Sequence, residues 1–321
     1  MDTLLKRISS VGIIPVIKIE DLNTVLPLSQ ALYDGGIPAA EVTFRTKLAP
    51  DAIRMITENQ PDMLVGAGTV LTCEQVDLAI DAGAKFIVSP GLNPSVVSYC
   101  IKKGILIIPG VSTPSEIETA IGFGLTCVKF FPAGECGGIK FLKAVSGPYG
   151  NMKYIPTGGV NASNINEYLS FPKVLACGGS WMVKPELVKA GNFDSIRELS
   201  AEAVRTMLSF ELAHIGINCV DEEEAMKTAK LFCKLFHLSC KPGNSSIFAG
   251  NMVECMKQPS HGEKGHIGIK TNSVERAVFH LQSMGFEFNE ETKKTDADGS
   301  IKAIYLAQSF SGFAIHLMKK Q

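Results

Sequence analysis

No histidine occurs in the first 213 residues; all six, at 214, 237, 261, 266, 280 and 316, lie in the last third. Imidazole bases and histidine-held metals are thereby excluded from most of the chain. No apolar run approaches ~18 residues, so no membrane-spanning helix is expected. The opening MDTLLKRISSVGIIPVIKIEDLN lacks the uninterrupted apolar core and small-residue cleavage site of a signal peptide. Nine cysteines are scattered without a CxxC pair. They read as structural thiols in a reducing compartment, and the expected location is the cytoplasm. Net charge is −1 with no long basic run, which removes electrostatic support for a nucleic-acid or membrane partner.

What is present is a repeat. The chain has 321 residues, which predicts two domains. Short apolar runs recur as IIPVI (13–17), AEVTF (40–44), LVGAGTV (64–70), FIVSP (86–90), ILIIPG (105–110), CVKFF (127–131), YIPTGG (154–159) and VLACGG (174–179). Stretches with helical spacing of apolar residues separate them, such as LNTVLPLSQALYDGG and TPSEIETAIGFG. Eight strand–helix alternations predict an α/β fold, a parallel (β/α)8 TIM barrel over residues 1–208.

Several strand residues do not suit a barrel core. Alternation places Glu41, Thr43 and Arg45 on one face of AEVTFRT, and Lys129 opposite Val128 and Phe130 in CVKFF. A buried ammonium is costly unless it is paired or unprotonated. One reading is a site at the C-terminal mouth of the barrel. The alternatives are a structural Glu41–Lys129 ion pair, or a lysine that snorkels outward. The glycines of PTGGV (156–160) and CGGSW (177–181) close the seventh and eighth strands, where such barrels commonly hold phosphate. Lys18, after the first run, reads as a solvated lysine or as added charge near an anion.

In order, EVTFRT, GAGTV, SPGLNP, IPGVSTPSE, KFFPA, PTGGV and GGSW resemble the 2-dehydro-3-deoxy-phosphogluconate/4-hydroxy-2-oxoglutarate aldolase family over residues 4 to 206. The resemblance implies a class I aldolase, with Lys129 of KFFPA forming a Schiff base and Glu41 of EVT acting as general acid/base. It implies Arg45 and Thr69 at the substrate carboxylate and Pro90 of SPGLNP in the substrate site. Thr157, Gly158, Gly159, Gly179 and Ser180 would hold the distal phosphate of an oxo-acid substrate. No cofactor is implied for that reaction, and a homotrimer is the implied assembly.

The last third, residues 209–321, carries a second repeat. HIGI occurs at 214–217 and 266–269, each followed by alanine at one offset (Ala225, Ala277), then by VECMK (253–257) or IHLMK (315–319). Two βαβββ units in a smaller α+β domain are predicted, the second lengthened around NEETKKTDADGS. This arrangement resembles the vicinal oxygen chelate superfamily, which implies metal ligands at His214, Glu254, His266 and His316. Their nitrogen and oxygen donors would suit Zn, Ni, Fe, Mn or Co. His316 departs from the glutamate that many metal-binding relatives carry there. His237, His261 and His280 fall outside this set and read as surface or packing residues. The domain then reads as accessory or as a separate metal-dependent activity; the third alternative is a phosphate-binding barrel that has lost catalysis and serves as a phosphate or oxo-acid sensor.

Overall fold

The eight apolar runs form eight parallel strands: β1 (Ile13–Ile17), β2 (Ala39–Thr43), β3 (Leu64–Gly68), β4 (Phe86–Ser89), β5 (Leu106–Val111), β6 (Cys127–Phe130), β7 (Lys153–Pro156) and β8 (Cys177–Gly179). The coordinates are a computed structural model, which describes residues 3–320. Sheet order is β7-β6-β5-β4-β3-β2-β1-β8. β1 pairs with β8 through Ile13↔Cys177 to Pro15↔Gly179. Isolated bridges Tyr154↔Val174 and Thr157↔Gly178 bring β7 toward β8, so the barrel is nearly closed.

Helix α1 (Thr3–Val11) precedes β1. The connections between strands carry α2 (Val25–Asp34), α3 (Ala49–Asn59), α4 (Cys73–Asp81), α5 (Pro94–Lys103), α6 (Pro114–Gly122), α7 (Gly138–Val145) and α8 (Ile165–Leu169). After β8 come α9 (Pro185–Lys189) and α10 (Phe193–Leu208). Local chemistry sets several boundaries. Thr113 and Glu116 form a capping box ahead of α6, and Gly104 ends α5 in the left-handed region at φ 71°. Strands β2, β3, β4 and β6 are buried at every residue. Helices outside and side chains inside cover both strand faces, which explains runs that are nearly continuous rather than alternating.

The chain divides into two compact units, Met1–Met207 and Leu208–Gln321. The second contains β9 (Glu211–Asn218), α11 (Glu222–Phe236), β10 (Cys240–Pro242), β11 (Ser246–Ala249) and β12 (Val253–Met256). The same succession recurs as β13 (Gly265–Thr271), α12 (Val274–Ser283), β14 (Phe288–Thr295), β15 (Ile301–Phe310) and β16 (Phe313–Lys319). Together they form one mixed sheet of order β10-β11-β12-β9-β13-β16-β15-β14. β9 and β13 meet antiparallel at the centre, and each copy's last strand lies parallel beside its first. This is the paired βαβββ arrangement.

The acidic run at 221–224 opens α11, with the Asp221 carboxylate accepting from the Glu224 backbone N–H. On the sheet face covered by α11, Ala225 and Ala229 pack on Cys219, Ile247 and Cys255. Register puts His214, Gly216, Glu254, His266, Gly268 and His316 together on the other face. Among the described residues no helix is long and apolar enough to cross a membrane.

Candidate functional site

Lys129 sits on β6 between Gly110 of β5 and Ile155 of β7. Its side chain enters the barrel, where Nζ lies 3.2 Å from Glu41 Oε1 of β2. Lys129 is 6% exposed and Glu41 3%. The outward-snorkelling reading is therefore wrong: the apolar neighbours of a barrel strand leave the inward direction to the lysine. Around the pair, Ile8, Ile14, Phe86, Val88, Ile108, Ile155 and Thr157 leave a hollow of only about 10 Å³. That is about the space one water needs, so the pair is shielded from bulk solvent.

Glycines make the room. A Cβ at Gly68 would stand 2.3 Å from Glu41 Oε1, and one at Gly178 would stand 2.3 Å from Thr157 Oγ1. At Gly110 a Cβ would meet the Pro90 carbonyl oxygen at 2.0 Å. These positions serve close approach; the backbone at all three is ordinary.

The other sequence-selected residues sit at the strands' C-terminal ends. Thr69 follows β3 with φ 56°, an uncommon and costly conformation for a β-branched residue and one that concentrates at functional sites. Pro90 follows β4, and Gly158 and Gly159 follow β7 with φ of 93° and 77°. Gly179 ends β8, where a side chain would strike the Trp181 ring. Arg45 corrects the expectation. β2 ends at Thr43, whose hydroxyl donates to the Ile17 carbonyl, and Arg45 lies on the turn beyond, exposed. With Thr43, Ser180 and Lys18 it lines a cavity of about 470 Å³ at the strands' C-terminal ends. Among the described residues no carboxylate is within ion-pair distance of Arg45. The lining also includes Glu20 and Lys189, which the sequence reading missed because surface charges carry no pattern of their own.

In the second unit the four residues selected from the repeat converge. His214 Nε2 lies 3.0 Å from His266 Nε2 and 3.3 Å from His316 Nε2. Glu254 Oε2 is 3.3 Å from His214 Nε2 and 3.1 Å from His266 Nε2. The three histidines are buried, with ligating atoms within 4.8 Å of one another. One imidazole nitrogen carries at most one hydrogen, so His214 Nε2 cannot satisfy three such neighbours by hydrogen bonding. Metal–nitrogen bonds of about 2.0–2.1 Å imply ligand–ligand edges of about 3.0–3.4 Å, the spacing of His214 Nε2 from His266 Nε2 and His316 Nε2. The mutually close set is the three histidines, with Glu254 beside two of them. The donor set fits a divalent cation.

Each HIGI glycine serves the other copy's histidine. A Cβ at Gly216 would stand 2.1 Å from His266 Cε1, and one at Gly268 would stand 2.7 Å from His214 Cε1. Ser246 donates to Glu254 Oε1 at 2.6 Å. The Tyr305 ring stacks on His316 at 4.8 Å, and His261 lies on Tyr305 at 4.1 Å. Hence His261, read from sequence as peripheral, borders this cluster, whereas His237 is exposed and His280 is buried in α12. His266 Nδ1 and His316 Nδ1 are buried without a protein partner, so neither ring has the outer anchor common at metal sites.

Burial, aided by His214 and His266, pushes the His316 imidazole down to about 3. Burial also lowers His214, against the pull of Glu254. For Glu254 burial acts upward, but hydrogen bonds from His266 and Ser246 prevail and hold it below the ordinary carboxylate value.

The family model described as "Aldolase: KDPG and KHG aldolase" matches residues 4–199. A 2-dehydro-3-deoxy-phosphogluconate aldolase of Haemophilus influenzae is 45% identical over 201 residues, 63% of this chain and 95% of the relative. One of Treponema pallidum is 46% identical over 205 residues, covering 64% and 98%. Among solved structures, a Legionella pneumophila KDPG aldolase with pyruvate captured as a covalent carbinolamine intermediate is 42% identical. It covers 62% of this chain and 97% of its own, with TM-score 0.60.

Two outcomes are expected. Gly68→Ala forces Glu41 aside and should cost about 1–3 kcal/mol of stability in urea unfolding; an unchanged midpoint would contradict the packing described. In metal-free protein, His316 binds fewer protons folded than unfolded between the ordinary value of 6.5 and about 3. Stability therefore rises with pH across that window and falls on acidification. Because the barrel lacks histidine, calorimetry at pH 7.5 and 5.5 should show this loss in the second unit.

Proposed function

Because the chain belongs to the KDPG and KHG aldolase family through residues 4–199, we propose that its barrel reversibly cleaves 2-dehydro-3-deoxy-6-phosphogluconate to pyruvate and glyceraldehyde 3-phosphate. The protein is a carbon–carbon lyase; the substrate, the residue roles and the second unit's part are our reading. The observation that carries it is the buried approach of Lys129 Nζ to Glu41 Oε1 at 3.2 Å.

In this mechanism Glu41 takes a proton from Lys129, and the free amine attacks the substrate's C2 carbonyl. Glu41 returns that proton to the carbinolamine hydroxyl, which leaves as water, giving an iminium and a carboxylate ready to act as base again. Glu41 then removes the C4 hydroxyl proton, the C3–C4 bond breaks, and its electron pair enters the iminium to give an enamine. Protonation at C3 and hydrolysis release pyruvate and restore the lysine. The iminium is the electron sink, so the step draws on no metal. Arg45 is assigned to the carboxylate, whose planar geometry a guanidinium fork matches, Thr69 to a second contact with that group, and Pro90 to the substrate site. Thr157, Gly158, Gly159, Gly179 and Ser180 are assigned to the phosphate. 4-Hydroxy-2-oxoglutarate, giving pyruvate and glyoxylate, is a second substrate on this reading, supported by the family's description. The proposed assembly is a homotrimer, by resemblance to the family.

For the second unit we infer a divalent metal held by His214, Glu254, His266 and His316, in a domain of vicinal-oxygen-chelate type. The convergence of donors and the paired βαβββ topology support it. A bound Zn, Ni, Fe, Mn or Co would supply Lewis acidity there. The intact lysine–glutamate pair favours an enzyme over a non-catalytic sensor.

Borohydride with pyruvate should add pyruvate's mass to the peptide containing Lys129 and stop turnover. Lys129→Ala should abolish both, and Glu41→Gln should slow pyruvate release by about 10²–10⁴-fold. Labelling elsewhere, or none, would remove the mechanism. Elemental analysis of the full chain should find about one divalent ion per chain. Gly216→Ala should lose that ion without losing aldolase activity; metal-free wild type that takes up none from added zinc would refute the centre.

A further inference from the structure

Resting on the aldolase reading, we propose that Lys18, Glu20 and Lys189 form an exchangeable charge latch that selects substrates carrying a phosphoryl dianion. The latch stands on the 470 Å³ cavity at the C-terminal ends of β1, β2 and β8, whose lining includes Thr43, Arg45 and Ser180. Three cations line it, Lys18, Arg45 and Lys189, against two carboxylates, Glu20 and Asp21.

The carboxylates are not equivalent. Asp21 is committed to the chain itself, accepting from the Asn23 backbone N–H at 2.9 Å and from its side chain at 3.0 Å. Glu20 instead bridges both lysines: Lys18 Nζ binds its Oε1, and Lys189 Nζ lies 3.4 Å from its Oε2. Among the described residues the two ammoniums, one after β1 and one at the end of α9, share this one carboxylate partner. Their pull holds the Glu20 carboxyl below its ordinary value, Lys18 contributing first.

All three side chains are exposed, at 47%, 45% and 70% for Lys18, Glu20 and Lys189. Solvated ion pairs of this kind contribute little and reorganise at little cost. A phosphoryl dianion offers more charge and more acceptor oxygens than one carboxylate, so it competes effectively for both ammoniums. A substrate ending in a carboxylate gains less from the exchange. The latch therefore bears on the choice between phosphorylated and unphosphorylated oxo acids, while Lys129 does not line this cavity and its condensation with pyruvate needs none of the three latch residues.

Calorimetric titration of the full chain with glycerol 3-phosphate, beside borohydride trapping of pyruvate, tests this. The double variant Lys18→Ala/Lys189→Ala should weaken glycerol 3-phosphate binding about tenfold or more. Glu20→Gln, which frees both lysines, should tighten it by about threefold. Pyruvate trapping should match wild type in all variants. A double variant within about twofold of wild type, or a Glu20→Gln variant that binds more weakly, would overturn the latch. Failure of wild type to trap pyruvate would instead strike the Schiff-base reading, because the titration measures phosphate binding without turnover.

Discussion

An ammonium and a carboxylate held 3.2 Å apart inside a barrel constrain everything around them. At an effective dielectric of about 20 their attraction is on the order of 5 kcal/mol. Removing both from water costs several kcal/mol per ion. The two effects nearly cancel, so the pair is a poor stabilising device and its surroundings must be built to tolerate it. Ile14, Phe86, Val88, Ile108 and Ile155 shield it, and Gly68 leaves space for the carboxylate. A lysine so enclosed is suited to chemistry that water would otherwise intercept.

The second unit meets a related constraint with the opposite sign. Three imidazoles and a carboxylate crowd together, and neighbouring lone pairs repel unless a proton or a cation lies between them. Symmetry brings them there. β9 and β13 pair antiparallel, with His266 opposite Gly216 and Gly268 opposite His214. The spacing of histidine and glycine within HIGI therefore makes each copy the receptacle for the other. A single copy would supply a histidine without the gap that receives its partner.

The barrel places charge differently with depth. In the barrel, the reactive pair is enclosed, whereas Lys18, Arg45 and Lys189 line a cavity with exposed side chains. Enclosed groups are held by packing and stay put. Exposed ones exchange partners readily, which suits the recognition of charged groups that arrive and leave.

Much of this was legible in one dimension. Eight apolar runs declared the barrel because strands covered on both faces must be apolar almost throughout. The doubled HIGI declared the paired βαβββ units, and the motif order marked Lys129 and Glu41. The boundary of β2 was not legible: Phe44 is as apolar as a strand residue, yet the strand stops at Thr43 and Arg45 moves onto a turn. Nor could sequence show that His261 rests on Tyr305 beside His316, or that Glu20 joins Lys18 to Lys189, since Tyr305 lies 44 positions from His261 and Lys189 lies 169 from Glu20. Local periodicity records which face a residue occupies, because burial acts on each residue separately. Which charges and rings finally meet depends on strand order and loop path, and those exist only once the chain has closed on itself.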